Sequence, residues 1–184
     1  GLLHDVGKSQ IPNEILNKPD KLTEEEFSLM KKHALFGYNI LKKKPDITQN
    51  ILLGVLQHHE KMNGKGYPLG GDGNTICPFA RILAVADIYD ALVTERPYKK
   101  AFTQRDATEM IMAMSHELDV KAIQSFLKSV LVYPLGTVVT LSNEEKAKVV
   151  KNNEGYPLRP KVVALHSGKA YDLSKMECAS LIIE

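Results

Sequence analysis

Apolar positions recur at helical spacing through the first two thirds of the chain. Thr23 with Glu26 three residues later forms a capping box. It opens a predicted helix carrying Phe27, Met30, Ala34, Gly37, Ile40 and Leu41 on one face, which Pro45 closes. A second helix is predicted from Thr48 to Glu60, with Ile51, Leu52, Val55 and Leu56 facing inward. Pro78 suits the first turn of a third, whose stripe is Phe79, Ile82, Leu83 and Ala86. Thr103 with Asp106 starts a fourth, and Asp119 caps a fifth that ends near Ser129. After Tyr133-Pro134 the period changes. Residues 136–142, 146–151 and 161–166 are short, rich in Val, Leu and Thr, and bounded by Asn, Gly and Pro clusters. They predict three or four strands of a small antiparallel unit. The expectation is a mainly α chain, with a helical domain over residues 1–130 and a β-rich subdomain over 131–184.

Composition narrows the class. With 184 residues, 43% hydrophobic and 25% charged, the chain is long enough for one core with an appendage. A formal net charge of +2 supplies no field for a nucleic acid polymer or a membrane surface. Lys42-Lys43-Lys44 reads as a solvated helix end. Cys77 and Cys178 stand far apart, forming neither a disulfide framework nor a zinc pattern, which fits a reducing cytoplasm. No apolar run approaches the ~20 residues that span a bilayer. The chain begins at Gly1-Leu2-Leu3 inside a helix-like stretch, so a preceding segment is expected, one that could anchor the full-length protein to a membrane.

Chemistry concentrates in a few places. In His4-Asp5-Val6-Gly7-Lys8, adjacent helical residues ~100° apart can converge on one point, with Lys8 one turn above His4. His33 falls on an inward stripe, where a hydrogen-bonded core histidine is the commoner case. His58 and His59 border the apolar face of their helix. Asp87 and Asp90 follow Leu83 and Ala86 by four residues, toward the core side. A buried carboxylate needs a cation, a donor or a metal. Nitrogen and oxygen ligands without thiolate suit Fe, Mn, Zn or Ni. A carboxylate such as Asp5 can bridge two ions, and a pair ~3.5–4 Å apart can hold a hydroxide and clamp phosphoryl oxygens. Asn63-Gly64 and Gly66 mark a loop that sets Tyr67 at the mouth of this site. Beyond the Asp87 helix, Arg96 and Lys99 offer a guanidinium fork and a point charge suited to phosphate.

His4-Asp5-Val6-Gly7-Lys8, His33, His58-His59-Glu60, Gly66-Tyr67-Pro68 and Asp87-Ile88-Tyr89-Asp90-Ala91-Leu92 with Arg96-Pro97-Tyr98-Lys99 together resemble the HD-GYP family. This is a subgroup of the HD metal-dependent phosphohydrolases. The resemblance covers roughly the first 130 residues. It implies an HD-type helical bundle that hydrolyses cyclic di-GMP to the linear dinucleotide pGpG or to GMP, with two or three divalent ions, iron or manganese. It implies that His4, Asp5 and Asp87 bind one ion, and that Asp5 bridges to a second held by His33, His58 and His59. Asp5 and Lys8 would serve catalysis, with Lys8 beside the reacting phosphate, and Tyr67, Arg96 and Lys99 would contact substrate. Asp90 would hold the loop that carries Arg96.

Departures accompany the likeness. The family places a further His, and in three-metal members a Glu, on a helix before the His-Asp pair. Met62 and Asn63 replace a Trp-Asp type of pair in the loop. Gly155-Tyr156-Pro157 repeats the loop tripeptide without preceding histidines and is read as a turn. Two other functions remain open: hydrolysis of cyclic GMP-AMP, and a signalling module that docks partner proteins through the Gly66-Tyr67-Pro68 loop. An upstream regulatory domain is the expected companion in the full-length protein.

Overall fold

The computed structural model describes residues 1–95 and 100–184. Among the described residues a 3₁₀ helix, Val6–Gln10, precedes seven α-helices: α1 Asn13–Leu16, α2 Glu24–Met30, α3 His33–Leu41, α4 Gln49–Gln57, α5 Pro78–Val93, α6 Gln104–Ala113 and α7 Val120–Ser129. Four strands follow: β1 Val138–Thr140, β2 Lys146–Lys151, β3 Lys161–Ala164 and β4 Ala170–Asp172. The fold is a mainly α bundle with a small antiparallel sheet, as the periodicity predicts. Among the described residues, no helix is long and apolar enough to cross a membrane.

The helix starts follow the local chemistry. Thr23 accepts from the Glu26 backbone N–H while Glu26 accepts from that of Thr23, which closes the capping box. Thr103 and Asp119 cap α6 and α7 by accepting from Asp106 and Ala122, and Pro78 sits at the first turn of α5.

Three expectations fail in instructive ways. His4 and Asp5 lie on a turn that leads into the 3₁₀ helix, not on an α-helix. Residues three apart eclipse in that geometry, so Lys8 pairs with Asp5 rather than standing above His4. The helix expected from Thr23 onward is two helices, because the chain turns at Lys31-Lys32. That turn swings Phe27 away from the buried face of α3, where His33, Ala34, Gly37 and Leu41 lie; Phe27 is 48% exposed. On α5 the buried side is Ala80, Ala84, Val85 and Leu92. The expected stripe of Phe79, Ile82 and Ala86 is exposed instead, as is Ile51 of α4. Helix α5 is apolar on two sides, and its small residues take the close contacts.

Two packed clusters position the bundle. Leu41, Leu52 and Val55 join α3 to α4, with Val6 and Tyr38 against them. Ala84, Val85, Ile111, Leu118, Ala122 and Ile123 join α5 to α6 and α7. The first includes a close approach at Gly7. A Cβ there would lie 1.9 Å from the His33 carbonyl oxygen and 2.4 Å from the Gly37 nitrogen. Only glycine allows the 3₁₀ segment to lie on α3, and that contact brings His4 and Asp5 beside His33.

The sheet runs β1-β2-β3-β4, each pair antiparallel, with Val139 opposite Ala147 and Val149 opposite Val162. Alternate residues point to a cluster of Val139, Leu141, Ala147, Val149, Val162, Leu173, Cys178 and Ile183. Gly155-Tyr156-Pro157 lies in a turn, with Gly155 at φ 76°.

Candidate metal centre

Six side chains from four places in the chain converge. His4 and Asp5 come from the turn before the 3₁₀ helix, His33 from the start of α3, His58 and His59 from the end of α4, and Asp87 from the middle of α5. They form two groups that could hold a metal ion, one of Asp5, His33, His58 and His59, the other of His4, Asp5 and Asp87. Within each group the ligand atoms lie within 4.8 Å of one another.

Asp5 is common to both. Its Oδ1 lies 3.4 Å from His33 Nε2 and 3.9 Å from His58 Nε2, while Oδ2 lies 3.4 Å from His4 Nε2. Asp87 places Oδ1 3.4 Å from His4 Nε2 and Oδ2 3.9 Å from His59 Nδ1. Three of the imidazoles are aimed by backbone carbonyls: Nδ1 of His4, His33 and His58 lies 2.6, 2.8 and 2.7 Å from the oxygens of Gly1, Met30 and Val55. Donation of Nδ1–H to a carbonyl fixes the tautomer and leaves Nε2 as a lone pair facing inward.

The donor set fits a cation. Among the described residues, His4 Nε2 and Asp5 Oδ1 are buried polar atoms with no hydrogen-bond partner, an arrangement that costs free energy unless something positive lies between them. Burial pushes the His58 imidazole down to about 4 and that of His59 to about 2, against the upward pull of Asp5. Burial lowers His33 in the same way. The imidazoles of His33, His58 and His59 are therefore neutral at neutral pH and available as ligands. Burial pushes Asp5 up, but the Lys8 ammonium bonded to it, with His4 and His33, outweighs that and holds the carboxyl below its usual range.

The loop after α4 closes one side. Tyr67 stacks on His59, ring centroids 4.6 Å apart at 26°, and stands edge-on to His33 at 6.4 Å. Burial, then the charges of Asp87 and Asp5, raise the Tyr67 hydroxyl and keep it protonated. The Tyr67 N–H donates to the His59 carbonyl. Glu60 anchors the far end, a role the sequence does not announce. Its buried carboxylate accepts from the backbone N–H of Leu69 at 2.6 Å and of Gly70 at 3.1 Å. The available signal was a carboxylate directly before a glycine-rich loop with unpaired N–H groups. A Cβ on Gly66 would lie 2.4 Å from the Glu60 Cα, so the loop folds back on its own start only with glycine there. Arg81 pins the following turn, donating to the carbonyls of Gly73, Asn74 and Ile76 and to Asp119.

Lys8, half-exposed, forms an ion pair with Asp5 Oδ2. Arg96 and Lys99 lie outside the described residues. Asp90 is exposed rather than turned to the core, because it falls on the solvent side of α5; its expected hold on the Arg96 loop involves residues outside that set.

The family model described as HD domain matches residues 1–121. Over 170 residues the chain is 35% identical to a cyclic di-GMP phosphodiesterase of Pseudomonas aeruginosa, covering 92% of this chain and 41% of that protein. Over 101 residues it is 46% identical to a 3'3'-cGAMP-specific phosphodiesterase of Vibrio cholerae, covering 54% of this chain and 22% of that protein. The chain thus spans well under half the length of these curated relatives. Among solved structures, an HDG"Y"P protein from Bdellovibrio bacteriovorus superposes with a TM-score of 0.53 at 27% identity, over 67% of this chain and 39% of that one.

Proposed function

This chain belongs to the HD domain family, and on that premise we propose that it is the catalytic part of a metal-dependent cyclic di-GMP phosphodiesterase of the HD-GYP kind. It would release pGpG, GMP or both. The observation that carries the reading is Asp5, one carboxylate shared by two ligand groups, with His4 and Asp87 on one side and His33, His58 and His59 on the other. Ligands of this type, nitrogen and oxygen without thiolate, favour iron or manganese over a structural zinc. Bound at the two groups, the ions supply Lewis acidity to water and to the phosphoryl oxygens.

The protein's own residues do the rest. Asp5 and Asp87 hold negative charge at the centre, which demands a cation before an anionic substrate can approach. Lys8, paired with Asp5, keeps a positive charge beside the place where the phosphate arrives. Tyr67 stays protonated and offers a hydroxyl donor next to His59. Arg96 and Lys99 complete phosphate recognition in this reading. Residues 131–184 form a small β subdomain without assigned chemistry. A preceding regulatory domain and signalling partners at the Gly66-Tyr67-Pro68 loop belong to the same reading.

A second substrate, cyclic GMP-AMP, is favoured by the likeness to the Vibrio cholerae enzyme. We prefer cyclic di-GMP because the Pseudomonas relative matches 92% of the chain, the C-terminal strands included. Metal analysis of the full-length protein, with turnover of both cyclic dinucleotides, tests the proposal. Cyclic di-GMP should be the faster substrate and should become pGpG or GMP. Faster turnover of cyclic GMP-AMP selects the second reading, and stoichiometric metal with turnover of neither sinks the enzyme reading. Asp5→Asn should abolish activity, whereas Arg96→Ala should raise KM with metal retained.

A further inference from the structure

We propose that Phe27 and Lys31 of α2 form a purine-binding subsite, with Phe27 as the stacking platform for one base and Lys31 as its reader of guanine. The proposal rests on the phosphodiesterase reading and extends it to base recognition. Phe27 is a large apolar ring left 48% exposed on a helix whose first turn is Glu24, Glu25 and Glu26. Packing does not account for it. Its ring meets Tyr67 edge-to-face, centroids 6.4 Å apart at 79°. Tyr67 in turn stacks on His59. The three rings form a continuous aromatic path from the candidate metal ligands to solvent, and Phe27 is its outer end. A cyclic dinucleotide whose phosphate reaches the Asp5 centre must put a base near the rim of that centre. Phe27 is the half-exposed ring, one aromatic neighbour out, that can meet it there.

The platform is held firmly. The capping box fixes the start of α2, and Lys18 pairs with Glu26 at 2.7 Å. The turn at Lys31-Lys32 rotates Phe27 out of the α3 core and toward Tyr67. Stacking on an aromatic ring is tolerant of base identity, so discrimination needs a polar group at the base edge. Lys31 supplies one, its ammonium 5.1 Å from the Phe27 centroid. Guanine presents two acceptors, O6 and N7, which an ammonium can satisfy together. Adenine presents an amino donor in place of O6, which meets the ammonium donor to donor. A base settling on Phe27 displaces the flexible lysine from the ring toward the base edge, exchanging an exposed cation–π contact for stacking and a charged hydrogen bond.

Steady-state kinetics of the metal-loaded full-length protein with cyclic di-GMP test this, together with equilibrium binding of cyclic di-GMP and cyclic di-AMP and metal analysis of each variant. Phe27→Ala should raise KM for cyclic di-GMP about tenfold with kcat changed far less and metal content equal to wild type. Phe27→Trp should restore KM. Lys31→Met should weaken cyclic di-GMP binding several-fold and leave cyclic di-AMP binding unchanged. If the wild type turns over cyclic di-GMP and Phe27→Ala keeps its KM within about twofold, the platform is refuted while the phosphodiesterase reading stands. Equal loss of both dinucleotides in Lys31→Met refutes the guanine-reading role. A wild type that binds metal and turns over no cyclic dinucleotide removes the phosphodiesterase reading and this subsite with it.

Discussion

The Nε2 atoms of His33 and His58 face each other at 3.3 Å while each Nδ1 is engaged by a backbone carbonyl. If both rings donate from Nδ1, both Nε2 atoms are lone pairs, and neither has a proton to give the other. A cation between them turns a repulsion into two bonds. His58→Ala should therefore lose metal and turnover together. Metal analysis by mass spectrometry reads the first, and retention of two ions per chain would remove His58 from the ligand set.

Metal should also stabilise the fold. Chelator-treated protein leaves His4 Nε2 and Asp5 Oδ1 buried and unpaired. Manganese at about a hundred times its Kd adds ~2.7 kcal/mol, or about 5–10 °C in Tm for a chain of this size. Calorimetry with and without manganese measures it, and an unchanged Tm would mean that the folded state holds no ion.

Gly7→Ala should disrupt the centre without altering a ligand. The added Cβ meets the His33 carbonyl at 1.9 Å, so the 3₁₀ segment must back away from α3. We expect a stability loss of ~1–3 kcal/mol and loss of metal. Denaturant unfolding and metal content give the two readouts; a variant with native stability and full metal would refute the close contact.

Glu60→Gln separates loop from metal. The amide replaces part of a carboxylate that accepts from Leu69 and Gly70, and its NH₂ end faces donors. Hydrogen bonds to a charged group contribute ~1.5–3 kcal/mol, so the loop carrying Tyr67 should loosen. KM should rise several-fold and limited proteolysis should cut the loop faster, with metal content unchanged. Loss of metal at equal KM would instead make Glu60 part of the ligand shell.

Acid should destabilise the metal-free protein in a particular window. Burial holds His58 at about 4 and His59 at about 2 in the folded chain, against ~6.5 in an unfolded one. As pH falls below 6.5 the unfolded state takes up protons that the folded state refuses, so stability drops through that range and levels off only near the folded values. Tm in chelator should be flat above pH 7.5 and fall steadily from 6.5 to 4.5. A flat Tm from pH 7 to 5 would contradict neutral, buried imidazoles.

Much of this protein was legible in the order of its residues. Thr23, Thr103, Asp119 and Pro78 mark helix starts through hydrogen bonds or ring constraints that span only a few residues, and local rules suffice for them. Strand alternation from 138 to 164 is local too. The residue types that gather at the centre, and the family they belong to, were also readable, because spacing along the chain preserves them. The tertiary structure alone decided the rest. It broke one expected helix at Lys31-Lys32 and turned Phe27 to the rim, and it buried the alanine side of α5 in place of the Phe79 and Ile82 side. It also made Glu60 an anchor for backbone donors nine and ten residues away. An amphipathic period says that a face is buried but not against what. Which of two apolar faces is covered, and which carboxylate meets which backbone N–H, depends on neighbours distant in sequence.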